Sequence, residues 1–205
     1  MEGFVNRQEE LAVLEEWWDS PTAGMGLLWG RRRVGKTALL QRFGESRPTI
    51  FHTGVGRPTS DDLMLLTRMA LPHVSGSLRD FGSRPFIGWE DALDSLAQAA
   101  AERPLLLILD EFPELVSTAP DLPGILRAFT DRVAGRTRLR ILVCGSAVRV
   151  MQAIQEERAP LFGRFGLRLQ LHPFRPHEAA LMLPDLSPKT RAVVWGLLGG
   201  PRIYL

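Results

Sequence analysis

The 205-residue sequence predicts a three-layer α/β fold, a parallel sheet of about five strands with helices on both faces. Three observations carry that expectation. Short apolar runs alternate along the chain with segments of helical spacing. Residues 105–109 are an unbroken run of leucine and isoleucine, the pattern of a central parallel strand covered on both faces. A glycine-rich octapeptide from Gly30 to Thr37 stands between the apolar run Met25–Trp29 and a helix-forming stretch at 38–43. Strand, glycine loop, helix is one βα unit of such a sheet.

The elements follow in order. Residues 1–18 hold the first helix. Asn6 is placed to cap it, with Glu9 three residues on in the capping-box position, and Leu11, Leu14, Trp17 and Trp18 give it an apolar face. Residues 21–24 break it. The strand–loop–helix unit comes next, then a short strand at 49–52. Ser60 caps a helix over 61–71 that carries Leu63, Leu66 and Ala70 on one side. Residues 72–88, rich in Gly, Ser and Pro, read as a mobile surface loop. A helix over 89–101, ended by Pro104, leads into the strand at 105–109. A helix over 122–134, a buried strand at 139–144 and a helix over 148–157 follow. Leu167, Leu169 and Leu171 alternate with Arg168 and Gln170, so the last strand buries one face and belongs at a sheet edge. Helices over 176–183 and 188–198 close the chain.

Composition narrows the function classes. There are 25 basic and 23 acidic residues, a net charge of +2, which gives no overall bias toward nucleic acid. The single cysteine, Cys144, excludes an internal disulfide, and its apolar neighbours mark it as a buried strand residue. No apolar run approaches the ~18 residues of a membrane span, and the N-terminus has no signal-peptide pattern, so a cytoplasmic protein with no membrane contact is expected.

The octapeptide fits the phosphate-binding pattern G-x-x-x-x-G-K-[ST] at every specified position. Gly30 and Gly35 let the backbone turn tightly and approach a polyphosphate. The amides of Arg31, Arg32, Arg33, Val34, Gly35, Lys36, Thr37 and Ala38 then lie at a helix N-terminus, where anions are favoured. Lys36, one of only two lysines, neutralises the β- and γ-phosphates, and the Thr37 hydroxyl ligates Mg²⁺. Asp110 and Glu111 end the strand at 105–109. Ligands bind outside the carboxyl ends of strands in open α/β sheets, so both motifs converge on one crevice. Asp110 is placed to hold the Mg²⁺ hydration shell, and Glu111 to polarise a water for attack on the γ-phosphate. The plain alternative is an acidic pair that caps a strand. Ser146 ends the next strand. If that strand and the 105–109 strand flank the loop's strand, Ser146 faces the γ-phosphate or the attacking water; otherwise it belongs to an ordinary strand-to-helix turn.

With these motifs placed, the chain resembles the ATPase domain of the AAA+/STAND group of P-loop NTPases, closest to the archaeal-type prokaryotic ATPases. The resemblance covers nearly all 205 residues and rests on the segments 4–11, 30–37, 109–113, 144–146, 161–164 and 199–205. It implies a P-loop NTPase fold of the ASCE type, with 1–205 one ATPase domain: a nucleotide-site segment at 1–18, a core at 25–172 and closing helices at 176–205. It implies ATP as the nucleotide, Asn6 and Arg7 near the adenine, and Pro201 packed beside the base. A plain helix start at Asn6 and a helix end before Pro201 are the alternatives. Arg164 takes the place where such proteins carry a finger arginine for a neighbouring subunit; a surface salt bridge is the alternative. Relatives continue into a lid and a further domain, which are expected to be absent here. Self-association or contact with such domains follows from the resemblance, with nucleic acid reached only through them.

Four functions fit the residues to different degrees. The first is Mg²⁺-dependent ATP hydrolysis driving a conformational switch. The second is a nucleotide-dependent scaffold with negligible turnover. A phosphotransferase would need an acceptor pocket, for which only 72–88 offers room. Direct DNA binding would rest on Arg31, Arg32 and Arg33 or on Arg136, Arg138 and Arg140, without a helix-turn-helix to support it.

Overall fold

The five apolar runs become five strands of one sheet. In the computed structural model, which describes residues 6–21, 24–74, 84–133 and 135–198, they are β1 (Met25–Trp29), β2 (Thr49–Thr53), β3 (Leu105–Asp110), β4 (Leu139–Gly145) and β5 (Phe165–Gln170). All neighbours run parallel, in the order β2-β3-β4-β1-β5. Nine helices are described: α1 (Gln8–Asp19), α2 (Lys36–Gly44), α3 (Thr59–Ala70), α4 (Trp89–Ala99), α5 (Phe112–Thr118), α6 (Leu122–Val133), α7 (Val148–Ala153), α8 (Pro176–Ala179) and α9 (Pro188–Leu198).

Strand alternation sorts the side chains into two cores. Leu27, Ile50, Leu107, Leu109, Ile141 and Val143 face one side and pack with α3, α4, α5 and α6. Leu28, Leu106, Ile108, Leu142 and Cys144 face the other and pack with Leu14 and Trp17 of α1 and with Leu39, Leu40 and Phe43 of α2. Helices therefore cover both faces, the expected three layers. Every residue of β3 is buried, and each of its leucines contributes about 1.5–3 kcal/mol relative to an exposed one. β5 alternates buried Phe165 and Leu167 with exposed Gly166 and Arg168 and stands at the sheet edge, as its pattern requires. Cys144 is fully buried, and burial pushes its thiol well above the ordinary range.

Several local expectations change. Asn6 does not cap α1. Asn6 and Arg7 both take the left-handed region (φ 60° and 73°), and no side chain caps the helix. The Asn6 amide instead donates to Glu178 Oε1, 3.0 Å away and 172 positions along the chain. Ser60 does not cap α3, which begins one residue earlier at Thr59, whose hydroxyl donates to the Thr118 carbonyl. α7 stops at Ala153 rather than near 157. The first closing helix is one turn, followed by a 3₁₀ turn at Ala180–Met182. α5 is an element that sequence reasoning omitted. In the expected 72–88 loop, residues 75–83 lie outside the described residues. Phe86 is buried, and its amide donates to the Thr67 hydroxyl, so the loop's end packs onto α3. Among the described residues no helix is long and apolar enough to cross a membrane.

Candidate functional site

The carboxyl ends of the strands set the site. β1 ends at Trp29 and the chain enters the glycine loop. A Cβ on Gly30 would lie 2.2 Å from the Leu171 carbonyl oxygen, so no other residue fits where the loop leaves the sheet. Gly35 has φ 94° immediately before α2 and takes the left-handed turn at no steric cost. Lys36 opens α2 and is 6% exposed. Its Nζ reaches back across the loop and donates to the carbonyls of Gly30 and Arg31, both at 2.9 Å. The ammonium thus sits inside the ring of loop backbone, with the amides at the N-terminus of α2 around it.

β3 brings the acidic pair to the same edge. The Thr37 hydroxyl donates to Asp110 Oδ2 at 2.9 Å, which joins the two motifs directly. Asp110 is 2% exposed, and its other oxygen accepts from the Glu111 amide at 3.0 Å. A buried carboxylate beside a hydroxyl is a pair of hard oxygen donors. That set fits Mg²⁺, which keeps most of its waters and takes one or two protein oxygens. No group of three or more His, Cys, Asp or Glu side chains that could hold a metal gathers among the described residues.

Glu111 has φ 47°, a conformation costly for a residue with a side chain and characteristic of functional turns. It is the residue before α5. The strain turns its carboxylate toward the end of β4, where Ser146 Oγ donates to Glu111 Oε2 at 2.9 Å and the Ser146 amide donates to the same oxygen at 3.3 Å. The glycine before Ser146 is fixed by packing, because a Cβ on Gly145 would meet Met151 Sδ at 2.5 Å and Pro113 Cδ at 2.8 Å. The strand order corrects one expectation. β3 does not flank β1; β4 lies between them, two strand spacings or about 10 Å across. Ser146 therefore stands between the glycine loop and Glu111. Arg32, an exposed loop residue, donates from Nε to Ser146 Oγ at 3.4 Å.

Three other expected residues lie elsewhere. Arg7 is 5% exposed and its guanidinium is a staple. It donates to the Val34 carbonyl at 3.2 Å and the His172 carbonyl at 2.7 Å, pairs with Glu10 at 2.5 Å, and lies 4.2 Å over the Phe174 ring. It fixes the back of the glycine loop to α1 and to the segment after β5. Arg7→Ala leaves two carbonyls and a carboxylate without their cation and is expected to destabilise the protein by about 3 kcal/mol. Urea unfolding measures this, and a cost below about 1 kcal/mol would remove the staple. Arg164 does not join the crevice. It precedes β5, and Phe165 pairs with Met25 at the amino end of β1, so it stands at the opposite edge of the sheet. There it forms a bidentate pair with Asp131 of α6, at 2.6 and 3.2 Å. Pro201 lies outside the described residues.

Sequence reasoning missed His172 and Phe174, in the segment after β5, and Glu178 of the one-turn helix α8, none of which carries a motif. It also missed a buried pair at the end of β2. His52 Nε2 and Asp62 Oδ1 are 3.1 Å apart, each residue 1% exposed, with Arg57 Nε 3.7 Å from the same oxygen. Burial lowers the His52 pKa and raises that of Asp62. The pair braces β2 against α3, one residue before Thr53, which pairs with Asp110.

A parallel sheet whose loop lysine, hydroxyl–carboxylate pair and strained glutamate meet at one edge defines a P-loop ATPase domain of the kind with one strand inserted between its two motif strands. The chain belongs to the family described as an ATPase domain predominantly from Archaea, whose model matches residues 4–205. It is 26% identical over 206 residues to an uncharacterized protein of Methanocaldococcus jannaschii, covering 98% of this chain and 43% of that protein. Over 44 residues it is 52% identical to an uncharacterized ATP-binding protein of the same organism, covering 22% of this chain and 75% of the relative. Its fold is similar to that of a Walker-type ATPase of Pyrococcus abyssi, with a TM-score of 0.75 at 21% identity, over 97% of this chain and 64% of the other. The chain thus spans less than two thirds of the M. jannaschii protein matched over its length and of that ATPase.

Proposed function

We propose that this domain binds ATP with Mg²⁺ at the loop and hydrolyses it, the nucleotide state acting as a conformational switch. The observation that carries this reading is the bond between Thr37 and Asp110, which holds the phosphate loop and the acidic pair in one crevice. The loop amides and Lys36 would take the β- and γ-phosphates. Thr37 and Asp110 would hold Mg²⁺, which supplies charge neutralisation on the phosphate oxygens when bound. Glu111 accepts a proton from water, the water oxygen bonds to the γ-phosphorus, and the bond to the β–γ bridging oxygen breaks, leaving ADP and phosphate.

One ATPase domain over 1–205, with its core at 25–172, belongs to this reading, and the greater length of the relatives supports an output delivered to a further domain or a second subunit. Asn6, Arg7 and Pro201 as adenine neighbours, Arg164 as a finger toward a second subunit, and a cytoplasmic location belong to the same proposal. The test is thermal unfolding with ATP or ADP and Mg²⁺ together with a phosphate-release assay. Ligand at about 100 times its Kd adds about 2.7 kcal/mol. No shift with either nucleotide at millimolar concentration would end the reading. A shift without phosphate release would leave a nucleotide-dependent scaffold.

A further inference from the structure

The proposed reaction needs the γ-phosphate recognised and Glu111 held toward water. The loop carries three consecutive arginines, and the middle one makes a contact that neither need explains by itself. Arg32 Nε donates to Ser146 Oγ at 3.4 Å, and that hydroxyl donates to Glu111 Oε2 at 2.9 Å. A cation, a hydroxyl and a carboxylate therefore form one chain, from the glycine loop across the end of β4 to the end of β3. Such chains are polarised along their length: the cation makes the hydroxyl a better donor, and the carboxylate makes it a better acceptor. Arg32 is exposed, so its guanidinium is held by this contact and not by packing.

The place of the chain in the crevice fixes what else Arg32 can touch. In the proposed complex Lys36 and the loop amides would surround the β- and γ-phosphates. Glu111 must face the terminal phosphorus to deliver water there. Arg32 stands two hydrogen bonds from Glu111, so it lies at the terminal-phosphate end of the loop. A guanidinium and a phosphate oxygen form a charge-assisted bond between two ionised partners, with the fork geometry that favours phosphate. A third phosphate would take the remaining guanidinium N–H groups while Nε keeps Ser146; a diphosphate would leave those groups to water.

We infer that Arg32 reads the third phosphate of the nucleotide and, through Ser146, positions Glu111. This rests on the ATPase reading above and adds to it a discriminating residue within the loop. Arg32 is a phosphate contact and a positioning residue; Glu111 remains the base.

The experiment measures ATP and ADP affinities, each with Mg²⁺, by calorimetry. It uses wild type, Arg32→Ala, Arg32→Lys, Ser146→Ala and the Arg32→Ala/Ser146→Ala double variant. Wild type is expected to favour ATP over ADP. Arg32→Ala should lower that ratio about tenfold, losing ATP affinity well beyond any loss of ADP affinity. Arg32→Lys should restore part of the ratio, since it returns the charge without the guanidinium Nε. The Ser146 and Arg32 effects on the ratio should be non-additive, as for residues in one network. Equal loss of both nucleotides in Arg32→Ala would reduce Arg32 to general phosphate attraction and overturn the inference. So would an unchanged ratio, or strictly additive effects. A wild type that binds both nucleotides without releasing phosphate would sink the hydrolytic reading, while the affinity ratio would still decide Arg32.

Discussion

Lys36→Ala is expected to abolish the stabilisation by ATP or ADP. In a domain of about 200 residues, 2.7 kcal/mol of ligand stabilisation raises the midpoint by about 5–10 °C, and the variant is expected to show less than 1 °C. The reason lies in the geometry. Lys36 is the only ammonium within the loop, and its Nζ lies 2.9 Å from two loop carbonyls, so one side chain both shapes the ring and supplies its charge. Without nucleotide the variant leaves the buried Gly30 carbonyl without its donor and should melt below wild type, so the nucleotide shift is read against the variant's own nucleotide-free midpoint. Differential scanning fluorimetry with and without nucleotide separates the two effects. A Lys36→Ala protein that keeps the full shift would mean that the nucleotide binds elsewhere.

Glu111→Gln separates chemistry from binding. The carboxamide keeps an oxygen for the two Ser146 donors, so the end of β3 and the start of α5 should hold their shape. What is lost is a group able to accept a proton from water. Removal of a general base costs about 10²–10⁴ in rate, and turnover should fall by that factor while the ATP affinity stays within about threefold. Single-turnover phosphate release measures the first and calorimetry the second. Wild-type turnover in the variant would take Glu111 out of the reaction.

Those two residues were legible because their signals are local. The glycine loop is eight consecutive residues, and Asp110-Glu111 is marked by the apolar run before it. Strands β3 and β4 were legible for a related reason: burial on both faces leaves nearly continuous apolar runs, and β5 at the edge leaves alternation. The failures share one cause, contacts between distant positions. Asn6 reads as a cap from its neighbours, but its side-chain amide is claimed by Glu178, and Asn6 and Arg7 both take left-handed backbone there. Helix α5 is short and begins beside proline after a left-handed glutamate, so no periodicity announces it. The chain from Arg32 through Ser146 to Glu111 depends on β4 lying between β1 and β3, and strand order is not written in any single segment.

That strand order also governs when the site can exist during synthesis. β1 pairs with β4 and β5 and with no strand made in the interval before them. The glycine loop leaves the ribosome first among the motifs, yet among the described residues its strand has no partner until β4 at 139–145 has been made. At about 5–20 residues per second, the wait is on the order of ten seconds. Through that interval the earlier-made β2 and β3 can pair with each other, while the loop and its lysine remain attached to an unpaired strand. Of the motifs described, the one made first is therefore expected among the last to hold a phosphate, because its strand gains a neighbour only when β4 is made.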